Sequence, residues 1–591
     1  MRLFRLPVFF LASIPWTAMS NGTHPEARTA GERLHAIFDA QWQWTLENHP
    51  TWASQLGDLR YNDRWPDVSL AAIEKRNAHA QEVLGQLDQI DRKALSEADE
   101  INYRLFRREQ ELEVEAHPYR WYLLPLTQRD GIQDASSLAD SLRFDRVGDY
   151  QDWIARMHAF GVYMDQTIAL MREAIEARMV HPKVVMKRVP PQIRRQIVED
   201  PAESLFFKPF RTLPDSIGPD ERGRLVEAAR KAIAEEVVPA YRRLLTFFEA
   251  EYLPACFDEV GIWQMPRGRE LYALKARQFT TTDLTPEEIH EIGLKEVQRI
   301  RGEMEKVLER VEWKGTFAEF LKHLQTDPKF YYDDPEDLLT AYRAISKRID
   351  PELVRLFRKL PRMPYGVEPI PEHLAPDTTT AYYRQPAADG SRAGTYFVNL
   401  YKPQSRPKYE MEVLSVHEAV PGHHLQIALA MELEDLPAFR RYSGYTAFVE
   451  GWALYCESLG EDLGLYQDPY SKFGQLTYEM WRAVRLVVDT GIHCSRWTRQ
   501  ETIDLLAANT GKPLLDVQNE VDRYITWPGQ ALAYKIGELK IRELRARAER
   551  ELGEKFDVRD FHEVILSSGA VTLDVLQANV EDWIAAAKRA G

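Results

Sequence analysis

The sequence predicts a mostly α-helical protein with a small β-sheet, and three observations carry that expectation. Helix-start signals precede apolar stripes of helical spacing, long polar-rich stretches lack strand-like alternation, and one short run stands out as strand. Thr285-Pro286-Glu287-Glu288 has the form of a capping box with proline at the first helical position. After it Ile289, Ile292, Val297, Ile300, Met304 and Val307 recur at helical spacing. Thr498 to Glu501 is a second capping box, followed by Ile503, Leu505 and Leu506, with Gly511 as the stop. Residues 98–113, 150–177 and 221–250 read as further long helices. The clearest strand is Thr395 to Leu400, bounded by Gly394 and Pro403. Its free edge is expected to pair with an extended ligand.

A chain of 591 residues exceeds one simple core and suggests two lobes or several subdomains. A proline- and glycine-rich passage, 361–394, separates an N-terminal helical region, 21–360, from the region 361–591. The N-terminal helices are expected to wall a cleft and not to form an independent module. Hydrophobic residues at 44% and charged residues at 28% give an ordinary globular balance. A net charge of −15 argues against nucleic acid and anionic membranes as partners. Arg2 and Arg5 precede an apolar run from Leu6 to Met19, and Ala18 and Ser20 give a small-residue cleavage pattern. Residues 1–20 therefore read as a secretory signal peptide, and the mature chain as exported, periplasmic or secreted, with no stable membrane insertion. The segment contains no cysteine for a lipid anchor. Cys256, Cys456 and Cys494 lie too far apart in sequence to form a metal cluster and read as small buried residues.

The chemistry concentrates in HEAVPGHH, residues 417–424. On a regular helix, His and His four apart converge on one zinc ion while the intervening Glu faces the attacking water. His417 and Glu418 fit the first two places, but Pro421 stands at the third. The next histidines are His423 and His424. Six residues turn about 240°, the wrong face, and seven add about 10.5 Å of rise. Pro421 gives no N–H to the carbonyl of His417, and Gly422 tolerates unusual backbone, so the helix should bulge between Ala419 and Gly422. Absorbing two residues selects His423 as second ligand; absorbing three selects His424. For the third ligand, Glu450 and Glu457 are seven apart in an apolar run and share a helix face.

HEAVPGHHLQ and FVEGWALYCE resemble the bacterial family known as domain of unknown function 885. HPTWASQLGDLRYNDRWPD (49–67), RLVVDTGIHCSRWT (485–498) and YITWPGQALAYKIGELKIRELR (524–545) extend the resemblance from about residue 30 to the end. That family is in turn similar to the helical glutamate-zincin peptidases of the thimet oligopeptidase, carboxypeptidase Taq and angiotensin-converting enzyme kind. The resemblance implies a clam-like metallopeptidase-type architecture and one zinc ion on His417, His423 and Glu450, with His424 and Glu457 as alternatives. It implies that Glu418 takes the proton of the attacking water and delivers it to the leaving amine. It also implies an oxyanion donor from a late helix: Tyr534, or else Tyr524 or His493. Arg482 and Arg485 are placed to clamp a substrate carboxylate. The expected activity is hydrolysis of short or unfolded peptides, by carboxypeptidase or oligopeptidase action. A two-histidine, one-carboxylate iron enzyme and a non-hydrolytic metal-binding protein are the competing classes.

Overall fold

The computed structural model describes residues 29–589 apart from 373–374, 376–378, 388–389, 391 and 443. The expected signal peptide lies outside the described residues. Helices dominate, and among the described residues none is long and apolar enough to cross a membrane. Seven helices and three strands position the site: α1 (Pro286–Arg310), β1 (Tyr365–Pro369), β2 (Ala381–Arg384), β3 (Gly394–Val398), α2 (Met411–Glu418), α3 (His423–Met431), α4 (Thr446–Leu459), α5 (Pro469–His493), α6 (Leu514–Thr526) and α7 (Ala533–Leu552).

Both expected capping boxes form: Thr285 and Thr498 each accept from the backbone N–H three residues on, and the glutamate there returns the bond. Gly511 ends its helix in the left-handed region at φ 61°. The stretch 150–177 is two helices, Val147–His158 and Phe160–Glu176, because Ala159 at ψ −7° opens the hydrogen-bond ladder. The stretch 221–250 contains π-turns at Ile233–Val237 and Phe248–Tyr252. Pro239 and Pro254 follow them closely. Each proline lacks an N–H for the carbonyl four residues back and its ring excludes that carbonyl, so the ladder widens.

The sheet corrects one expectation. Its order is β1-β3-β2, with β3 parallel to β1 and antiparallel to β2. The strand expected to offer a free edge is therefore central and buried at every position, and both of its edges are already paired.

Hydrophobic packing runs across the passage after 361. One hydrophobic cluster contains Phe38, Phe106 and Leu338 together with Val416, Trp452 and Val580. A second joins Trp153, Tyr241 and Ile300 to Val484 and Tyr524. Helix α5 runs between them, contributing Tyr478 and Leu486 to one and Met480, Val484 and Val488 to the other. A helix buried on all sides is ordinarily apolar all round. Here Glu479, Arg482, Arg485, Asp489 and His493 are buried too. Burial of such groups requires partners. Glu479 meets Lys535 at 2.9 Å, and fully buried Lys535 also meets Glu296 on α1 at 3.0 Å and Glu538 at 2.9 Å. Asp489 accepts from Tyr272 Oη at 2.5 Å and from the Gly529 N–H at 3.0 Å.

Two close approaches lock the frame. A Cβ on Gly293 of α1 would lie 2.7 Å from Leu486 Cβ on α5. A Cβ on Gly537 of α7 would lie 1.8 Å from the Ala447 carbonyl oxygen, and one on Gly451 of α4 would lie 2.6 Å from the Gly537 backbone. Helices α4 and α7 thus touch backbone to backbone. Gly537→Ala is expected to destabilise the protein by about 1–3 kcal/mol through this overpacking. A thermal-unfolding midpoint equal to wild type would contradict the contact.

Candidate metal centre

Helix α2 ends at Glu418 and α3 begins at His423. Between them Ala419 (φ −101°, ψ −106°) and Gly422 (φ −71°, ψ −126°) leave helical geometry, and the Val420–Pro421 peptide is cis. The Gly422 N–H donates to the Val416 carbonyl at 2.9 Å, six residues back instead of four. Two residues are thereby looped out before the Gln426 N–H restores the four-residue step to Gly422 at 3.2 Å. Glycine is required here because a Cβ on residue 422 would lie 2.0 Å from the His417 carbonyl oxygen. Trp452 of α4 holds the turn from outside, donating Nε1–H to the Pro421 carbonyl at 2.9 Å.

This turn brings His417 and His423 together, with ring centroids 4.8 Å apart. Glu450 Oε2 lies 3.7 Å from His417 Nε2 and 3.4 Å from His423 Nε2. These separations exceed ordinary N–H···O bonds, and buried Glu450 Oε2 has no hydrogen-bond partner among the described residues. One donor atom from each of the three side chains lies within 4.8 Å of the others. Ligands about 2.0–2.1 Å from a tetrahedral zinc stand on the order of 3.4 Å apart. Two imidazole nitrogens and a carboxylate oxygen at this spacing, with one oxygen orphaned, fit a divalent cation.

Burial works against a charged Glu450, but His423 and His417 outweigh it and hold the carboxyl well below its ordinary range. Burial likewise opposes a charged His417, but Glu450 and Glu457 raise the imidazole to about 9. Glu457, fully buried one heptad beyond Glu450, takes the opposite nitrogen: His417 Nδ1 to Glu457 Oε1 is 2.8 Å. That bond fixes the ring and leaves Nε2 facing Glu450. Arg482 Nη2 stands 3.6 Å from the same Glu457 oxygen and balances its charge.

The other sequence-derived candidates are placed as follows. His424 turns away, its Nδ1 2.9 Å from Tyr383 Oη and its ring against Tyr365, and burial lowers it to about 4. Glu418 is half-buried at the end of α2. Its charge adds to the effect of burial on Tyr396, whose hydroxyl is held well above its ordinary value. Tyr534 lies in the first turn of α7, one turn before the Gly537 that packs on Gly451, the neighbour of Glu450. Burial and the Glu450 charge both raise its hydroxyl. Tyr524 is fully engaged elsewhere: it donates to Glu520 at 2.9 Å and accepts from Arg485 at 2.9 Å and Trp481 at 3.1 Å. His493 accepts from the Ile262 N–H at 3.1 Å and contacts the Tyr524 carbonyl at 3.0 Å, so both ring nitrogens serve backbone. Arg482 and Arg485 part company, Arg482 backing Glu457 and Arg485 lying 4.5 Å from the Tyr534 ring centroid. All three cysteines are free. The sequence reading missed Trp452 and the Gly451–Gly537 crossing. Their signal was local: a tryptophan and a glycine directly following a glutamate in an apolar helix.

No curated protein matches the chain. Solved structures resemble it, among them two over nearly the whole chain. One, from Colwellia psychrerythraea, is described as a "putative lipoprotein"; it is 28% identical, with a TM-score of 0.88 over 94% of this chain and 100% of that one. The other, from Shewanella oneidensis, carries the same description with unknown function; it is 18% identical, with a TM-score of 0.70 over 93% of this chain and 99% of that one, and shares the fold. Residues 50–580 match the bacterial proteins of unknown function DUF885, and the chain belongs to that family.

Proposed function

We propose that this protein is a zinc metallopeptidase, with the ion held by His417, His423 and Glu450. The observation that carries the reading is the orphaned Glu450 oxygen facing two Nε2 atoms. Zinc bound there supplies Lewis acidity, activating water near neutral pH and polarising a carbonyl. The protein's own groups do the rest. Glu418, next in sequence to His417 and half-buried, takes a proton from the attacking water and passes it to the leaving amine. Tyr534 donates its hydroxyl hydrogen to the carbonyl oxygen as negative charge develops. Glu457 keeps His417 in the tautomer and orientation that present Nε2.

The family resemblance supports a clam-like, cleft-forming architecture in which the N-terminal helices wall the site and the substrates are short or unfolded peptides. The lipoprotein description of the two solved relatives supports export of this chain as well. Export, to the periplasm or beyond, is the reading we adopt.

Metal analysis of the purified protein is expected to give one zinc per chain; iron in its place would favour an oxygenase. Glu418→Gln is expected to retain zinc and lose hydrolysis of a mixed peptide library, read by mass spectrometry. Undiminished cleavage by that variant would remove Glu418 from its role. Glu457→Gln is expected to weaken zinc binding by about 10–100-fold, as loss of the carboxylate behind a ligating imidazole does. An unchanged zinc affinity would contradict the assignment.

A further inference from the structure

Tyr534 feels the charge of Glu450 in the candidate metal centre and packs on Arg485, which belongs to a cluster of positive charge. Arg485 of α5 is only 6% exposed in its side chain. Its Nε donates to Tyr524 Oη at 2.9 Å and its Nη2 to Glu520 at 3.0 Å. Its Nη1 is buried with no partner among the described residues. Arg523, equally buried, takes both oxygens of Glu520 at 3.3 and 3.0 Å, and Arg129 Nη1 stands 4.0 Å from the same carboxylate. Three guanidinium groups therefore share one carboxylate. The acids nearby do not balance them. Asp522 is committed to Arg188 and Arg499, and burial pushes Asp489 up to about 7 while Tyr272 and Gly529 hold one of its oxygens. The cluster grades outward from Arg485 to Arg129, whose side chain is 50% exposed.

A buried guanidinium with an unspent nitrogen in a cationic surround is costly unless an anion completes it. Guanidinium is the group best matched to carboxylate geometry. We infer that this cluster is a carboxylate-binding subsite, in which Arg485, backed by Arg523 and Arg129, receives a carboxylate carried by the peptide substrate beside Tyr534. That the carrier is a peptide rests on the proposed peptidase activity; that the site takes a carboxylate does not. Tyr534 packs against Arg485 at 4.5 Å and its hydroxyl feels the charge of Glu450, so the bound carboxylate sits close along the chain to the bond presented for cleavage. The source is the peptide's own C-terminus or an acidic side chain near it.

The test uses the full chain stripped of metal, so that binding is read without turnover. Three probes are titrated calorimetrically: acetyl-Ala-Ala-Phe as free acid, the same peptide as C-terminal amide, and amidated acetyl-Ala-Ala-Glu. The free acid is expected to bind about tenfold or more tightly than the neutral amide, the scale of one charge-assisted hydrogen bond. The preference should vanish in Arg485→Gln and fall several-fold in Arg129→Gln. The half-exposed Arg129 keeps the test decisive if the Arg485 variant does not fold. Tight binding of the amidated glutamate peptide assigns a side-chain carboxylate; weak binding assigns the terminus. Equal binding of acid and neutral amide, no binding of either, or a preference untouched by the substitutions overturns the subsite. If the metal-loaded protein cleaves none of the peptides while the preference persists, the peptidase reading fails and the subsite stands.

Discussion

The site depends on how the backbone spends two extra residues between His417 and His423. A regular helix would carry the second imidazole to the wrong face. The Gly422 N–H reaches back to the Val416 carbonyl and removes the excess at one point, so that α3 resumes in the phase that α2 left. The bond forms only because residue 422 has no side chain, and the Trp452 indole secures the looped carbonyl of Pro421 from α4. The same helix supplies Glu450 and Glu457. One element therefore closes the turn, offers the carboxylate to both histidines and orients the first of them.

Helix α5 performs the equivalent service for charge. Its buried polar residues are met in turn by Lys535, Glu457, Glu520, Tyr272 and the backbone near Tyr524. Each pairing ties α5 to another element around the site. Buried ion pairs contribute little net stability against a well-packed apolar alternative, but breaking one is severe. Their value here is positional: they define the rotation of α5 and set Arg485 against the Tyr534 ring.

Much of this was legible in the sequence, and the misses have physical reasons. Capping boxes at Thr285 and Thr498 are local, so both helices were readable from their first turns. The bulge was readable because Pro421 and Gly422 act on their own backbone. The central position of β3 was not readable, since strand order is a long-range property and residues 395–398 have the same pattern at an edge or a centre. Nor were the fates of His493 and Tyr524, both buried by partners distant in sequence, Ile262 and Arg485. Arg482 and Arg485 look alike at three-residue spacing, and only the packing of α4 and α6 sends one to Glu457 and the other to Glu520.

The docking of α1 on α5 has a temporal consequence. Contacts such as Arg299 with Glu479 join residues 180 positions apart. Pairings of that span form late, because the intervening chain must first be confined. Glu450 lies inside the closed segment and Tyr534 outside it, so no partial product of synthesis holds a finished constellation. Any cation taken by His417, His423 and Glu450 is therefore acquired only once the whole chain has folded, from the supply of the compartment in which folding ends.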